Sequence, residues 1–91
     1  MLPIVWRARA RDDLAKIIMY IAEKNPPAAR RLHATIQASV LPVARHPYVF
    51  KGGRVTNTRE IVVRPNYVVV YRVTASAVEV LNVLHARQKY R

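Results

Sequence analysis

Between Arg59 and Leu84 the chain passes through three consecutive β-rich runs, Arg59–Arg64, Asn66–Val73 and Ala77–Leu84, dominated by Val, Ile and Tyr. Turn-forming residues (Pro65-Asn66, then Thr74 to Ser76) separate them. Connections this short leave no room for a crossover helix, so the runs must pair as an antiparallel meander. The remainder of the chain can then do little but cover a face of that sheet.

The residues upstream suit the task. Leu14, Ile17, Ile18 and Ile21 recur at the spacing of one helical face. The helix should start at Arg9 or Asp12, with Asp12 and Asp13 capping it or complementing its dipole, and run to Lys24. Asn25-Pro26-Pro27 ends it and allows a second helix from Pro27. Leu32, Ile36, Val40 and Val43 form the second stripe, which Pro42 should interrupt near Leu41. Arg30, Arg31 and His33 would face outward. So short a joint predicts an antiparallel helical hairpin, and Leu2–Trp6 reads as a short first strand. The expected fold is α+β: an N-terminal strand, then a helical hairpin packed on one face of a three-stranded antiparallel meander. Residues 1–91 read as one domain without internal repeats. Lys51-Gly-Gly-Arg54 lacks the spacing of a Walker phosphate loop and reads as a flexible turn.

Strand parity sorts the sheet's side chains. With a three-residue Arg64–Asn66 connection, Ile61 and Val63 share a face with Tyr67, Val69, Tyr71 and Val73. Val78, Val80, Asn82 and Leu84 continue that face, the one expected under the helices. There Tyr67 and Tyr71 read as core, and Asn82 as making a core hydrogen bond. A two-residue Pro65-Asn66 turn would instead set Ile61 with Val68. The opposite face carries an aliphatic strip, Val62, Val68, Val70, Leu81 and Val83, rimmed by Arg64, Arg72, His85 and Arg87. Arg72 should lie across from Glu79, and Glu60 should pair with a nearby arginine. A bare strip with a basic rim suits an acidic, amphipathic segment of another chain, laid in as a helix or added as a strand.

Composition narrows the partners. Sixteen Lys+Arg against five Asp+Glu give a net charge of +11, which points to nucleic acid, the ribosome or an acidic protein. A hydrophobic fraction of 52% exceeds what 91 residues readily bury, so some apolar surface should meet a partner. Without cysteine there is neither a disulfide framework nor a thiolate metal site, and no metal or cofactor is expected. No apolar run approaches the roughly 18 residues that span a bilayer. MLPIVWRARARDD has its apolar residues before its arginines, the wrong order for a signal peptide. A cytoplasmic protein with no membrane partner is the expectation.

The phrases DDLAKIIMYIAEKNPPAARRL, GRVTNTREIVVRPNYVVVYRV and VEVLNVLHARQKY, in the order strand, helical hairpin, meander, resemble the RelE/ParE superfamily of bacterial toxins. They are most similar to its ParE-like and plasmid-stabilisation members, and the likeness runs from about Trp6 to Tyr90. The resemblance implies a type II toxin–antitoxin toxin, neutralised by a cognate, acidic antitoxin. It implies one of two targets: DNA gyrase, poisoned without known catalysis, or messenger RNA in the ribosomal A site, cleaved by RelE-like members. RelE-type cleavage needs cations at the phosphate and groups that move protons. The two lysines of the RelE pattern align with Glu60 and Val62, and its arginine after the tyrosine aligns with Val68. Only the arginine after the last strand has a counterpart, Arg87. The pattern therefore favours the non-catalytic, ParE-like reading, with His85, Arg87 and Tyr90 as the alternative catalytic set. Antitoxin or target binding is assigned to Arg64, Val68, Val70, Arg72, Leu81, Val83, His85 and Arg87.

Overall fold

In the computed structural model, which describes residues 1–53, 55–63 and 66–87, Asn25 divides the helical half of the chain. Its Oδ1 accepts the Ala28 N–H at 3.1 Å and so caps the second helix, α2 (Pro26–Ser39), whose first turn tolerates both prolines. The first helix, α1, spans Ala8–Ala22, starting earlier and ending sooner than its apolar stripe suggested. Arg7 occupies its N-cap position without a side-chain cap, and no acid lies in the first turn. Asp12 and Asp13 fall a turn further in. Pro42 acts as expected: α2 stops at Ser39, and Leu41–Ala44 tighten into a 3-10 turn.

The sheet has four strands, β1 (Ile4–Trp6), β2 (Arg59–Val63), β3 (Tyr67–Val73) and β4 (Val78–His85), in the order β1-β4-β3-β2. The meander is antiparallel, while β1 adds to its edge parallel to β4, with Ile4 beside Val78. Val63 pairs with Tyr67, so the β2–β3 connection is the three-residue one. The fold is α+β, with the helices on one face of the sheet. Leu14, Ile36, Val40 and Val43 pack there against Ile61, Val63, Val69, Tyr71, Val78, Val80 and Val83. Tyr71 is fully buried and donates its hydroxyl proton to the Pro47 carbonyl at 2.9 Å. Burial pushes its phenol above the ordinary 10.0, and the Arg59 guanidinium offsets part of the rise.

Parity fails in one place. Val70 faces Asn82 and Tyr71 faces Val80, which leaves Leu81 as an extra residue in β4. Everything beyond this bulge is turned over. Val83, expected on the outer face, belongs to the helix-covered core opposite Val69. His85 likewise pairs with Tyr67 on the helix side. Leu84, expected in that core, instead clusters with Val68 and Val70 on the other face. A bulge also interrupts the ladder, and Asp13 of α1 takes up the slack. Its Oδ2 accepts the Val83 N–H at 3.0 Å and the Asn82 side-chain amide at 3.3 Å. Asn82, expected to bond within the helix-covered core, instead makes this part-buried bond to a carboxylate first assigned to capping, because the bulge pairs it with Val70 of the outer cluster.

The outer strip is also not bare. Val68 is 5% exposed and Val70 1%, and with Leu84 they shield one another across β3 and β4. Lys51–Gly53 closes on the start of β2 through the Gly52–Arg59 bridge and the Glu60 N–H to Lys51 carbonyl bond. Gly53 lies so close to Thr58 and the Glu60 side chain that a Cβ there would collide with the Thr58 hydroxyl. Leu81 is half-buried, and only Val62 of the strip stands open, at 66% exposure.

Candidate functional site

The expected binding set is therefore dispersed. Val68 and Val70 are closed in the outer cluster, Val83 is core, and His85 is on the opposite face from Arg72. Arg72 is exposed and faces Glu79 as expected, its Nε donating to Oε1 at 2.9 Å; Arg7 Nη1 lies 3.8 Å from Oε2 of the same carboxylate. Arg87 is exposed next to His85. Arg64 and Tyr90 lie outside the described residues.

What the bulge brings together instead is a small cleft at the far end of β4. Lys16, Ile17 and Tyr20 from α1 and Tyr67 and His85 from the sheet line about 270 Å³. The His85 and Tyr67 rings meet edge to face, 5.6 Å between centroids. The Arg87 N–H donates to His85 Nδ1 at 3.2 Å, which places the proton of the neutral imidazole on Nε2. Tyr20 is 63% exposed at the mouth, bonded by Lys24 Nζ at 3.1 Å. An ammonium, two phenols and an imidazole in one cleft can hold an anion and relay a proton. Lys16, Tyr20 and Tyr67 were not expected here, because only the turned-over register sets His85 over α1.

A second recess lies along the hairpin. Trp6, Leu14, Ala15, Ile18 and Met19 line about 530 Å³ of apolar space, with Arg11, His33 and Gln37 at its rim. Met19 is 67% exposed. His33, assigned to a solvated face, borders this recess. The signal was present in the sequence: α1 carries more large apolar side chains than the sheet-facing stripe needs. Its Ile17, Ile18 and Ile21 are accordingly only half-buried. Among the described residues no three His, Asp or Glu side chains converge on a metal position, and no helix is long and apolar enough to cross a membrane.

The sequence profile of the family described as ParE toxin of type II toxin–antitoxin system, parDE, matches residues 4–90. The chain belongs to this family. It is 38% identical over 88 residues to Y4kP of Sinorhizobium fredii, covering 96% of this chain and 91% of that one. With toxin RelE2 of Caulobacter vibrioides it shares 36% identity over 87 residues, covering 94% and 97%. Among solved structures it superposes on a chain of the chromosomal ParDE toxin–antitoxin system from P. aeruginosa with a TM-score of 0.85. That match has 19% identity and covers 96% of this chain and 98% of the other. A chain of the RelBE2 toxin–antitoxin complex from Mycobacterium tuberculosis superposes at 0.62 with 24% identity, over 92% and 96%. These likenesses establish the RelE/ParE fold, and the family match makes this ParE-family chain a type II toxin.

Proposed function

We propose that this ParE-family toxin arrests growth in the cytoplasm by binding a protein target, DNA gyrase, and not by cutting RNA. The observation that carries the reading is what stands where RelE-like toxins place cations. Glu60 and Val68 are nearly closed from solvent, at 9% and 5% exposure, and Val62 is an exposed aliphatic. A scissile phosphate over these three positions would meet a carboxylate and two valines, with no positive charge to stabilise its transition state. Purified toxin at micromolar concentration is expected to inhibit supercoiling by gyrase or trap its cleavage complex. Undisturbed supercoiling would reject gyrase as the target.

One observation favours the ribonuclease reading: Lys16, Tyr20, Tyr67 and His85 share a cleft, with Arg87 beside it. Primer extension on messenger RNA in a translation reaction discriminates. Ribosome-dependent cuts that vanish in His85→Ala and Arg87→Ala would replace the gyrase reading.

Neutralisation falls to an acidic antitoxin segment that orders on binding. The burial of Val68, Val70 and Val83 moves its apolar contacts off the outer strip. The recess beside Trp6, Ile18 and Met19 is also lined by Arg11, a cation for the acidic side chains of such a segment. Met19→Asp should weaken the toxin–antitoxin complex at least tenfold with the fold intact, since Met19 is exposed. Leu81→Asp should weaken it less. The reverse ranking would return the antitoxin to the outer face.

A further inference from the structure

Away from both recesses, a third cleft of about 500 Å³ opens where β2 begins and β3 ends, lined by Tyr48, Gly52, Asn57, Thr58, Arg59 and Arg72 together with Val73. Its construction is unlike that of the other two. The Arg59 Nη1 donates to the carbonyls of Tyr48 and Phe50, at 3.3 and 2.5 Å, which fixes the guanidinium at the cleft wall. Its Cζ lies 4.9 Å from the centre of the Tyr48 ring, a cation–π stack on a tyrosine that is 66% exposed. Asn57 reaches the same space from a turn in the left-handed region, φ 66°, closed by the Thr58 N–H to Val55 carbonyl bond. Arg72 borders the cleft while Glu79 holds its Nε and Nη2. Among the described residues no acid contributes to the lining.

We propose that this cleft binds single-stranded nucleic acid, with one base stacked on Tyr48 and the adjoining phosphate held by Arg59, Arg72 and Asn57. A guanidinium already anchored by carbonyls loses little freedom on meeting a phosphate. A tyrosine with one side against that guanidinium and most of its surface open is a stacking platform for an unpaired base. A duplex offers no such base, and an acidic peptide has no use for the ring. The net charge of +11 draws a polyanion to the surface, and the cleft gives it a place to settle. This goes beyond the toxin reading, and its test involves neither gyrase nor an antitoxin.

The experiment is fluorescence anisotropy of the full chain with labelled oligo-dT and oligo-U of about twelve nucleotides at low salt. Tyr48→Ala should weaken binding about tenfold, the loss of one stacked base, and Tyr48→Phe should restore it. Arg72→Gln should weaken it severalfold and lower the slope against log salt by about one. Arg30→Gln, on the exposed side of α2, serves as the control and should change affinity less than twofold. Tight binding of only one oligomer would name DNA or RNA as the source. Equal effects of Tyr48→Ala and Arg30→Gln would overturn the proposal in favour of diffuse attraction. Equally tight binding of a poly-glutamate peptide, likewise sensitive to Tyr48→Ala, would overturn it in favour of an acidic polypeptide.

Discussion

The two halves of β4 obey opposite rules. From Val78 to Val80 alternate residues enter the helix-covered core, as in any half-buried strand. From Val83 to His85 the alternation is inverted, because Leu81 is an extra residue opposite β3. The first half is held by its ladder and by its side chains' fit to the core. The second half also needs a carboxylate from α1, since Asp13 accepts the Val83 N–H. A single inserted residue thus does two things. It removes His85 from the company of Arg72, and it sets the imidazole over α1 beside Tyr67, Lys16 and Tyr20.

The sharpest way to break this comparison is to place a charge in each half. Val83→Asp should destabilise the fold as severely as Val80→Asp, by about 4 kcal/mol or more, because each would bury an unpaired carboxylate. Leu81→Asp should cost far less. Urea denaturation ranks the three, and a mild Val83→Asp would mean that alternation runs unbroken through β4.

Removing the Asp13 carboxylate tests the second half alone. Asp13→Ala leaves the Val83 N–H without its acceptor and should cost about 2 kcal/mol. Hydrogen exchange should accelerate at Val83 while the Val78 amide, bonded to the Pro3 carbonyl at 2.8 Å, keeps its protection. Equal acceleration at both would show that the halves open as one unit.

Opposite the first half stands Tyr71, paired with Val80. Tyr71→Phe forfeits the bond to Pro47 and should cost about 1 kcal/mol at neutral pH. Burial raises the folded phenol's pKa above 10.0, so below about pH 9 the group is protonated in both states and contributes no pH dependence. Above it the unfolded chain gives up the proton first, and stability falls as pH rises. Thermal melts from pH 9 upward should therefore fall more steeply for the wild type than for Tyr71→Phe. Parallel slopes would show that burial does not act on this phenol.

The smallest effect belongs to Arg72 and Glu79, directly opposed ahead of the bulge. A double-mutant cycle with alanine at each should return about 0.5 kcal/mol, screened by salt. A coupling near zero would leave the register of the first half to its valines.

Much of the fold was legible because it is local. The stripe of Leu14, Ile17, Ile18 and Ile21, the prolines after Asn25 and the short turns of the meander each act over a few residues. So does the turn that sets Arg72 against Glu79. The candidate site was much less legible, because its geometry depends on where Leu81 falls in the ladder with β3. Nothing in VEVLNVLH distinguishes a regular strand from a bulged one: Val80, Leu81, Val83 and Leu84 suit either face. The burial of Val68 and Val70 was hidden for a similar reason, since it depends on Leu84 arriving from β4 and on the Lys51–Gly53 turn closing over Glu60.

By itself, the order of residues settled the kinds of element, their succession and the large positive charge, all of which follow from neighbours along the chain. Only the tertiary structure could set β1 parallel to β4, turn over the end of β4 and fasten it to Asp13. The first and the last join hydrogen-bonding partners about 70 residues apart in sequence, and the second is a one-residue shift against β3 that fits either face locally. Such partners meet only once the helices have packed, so no local pattern can record the outcome.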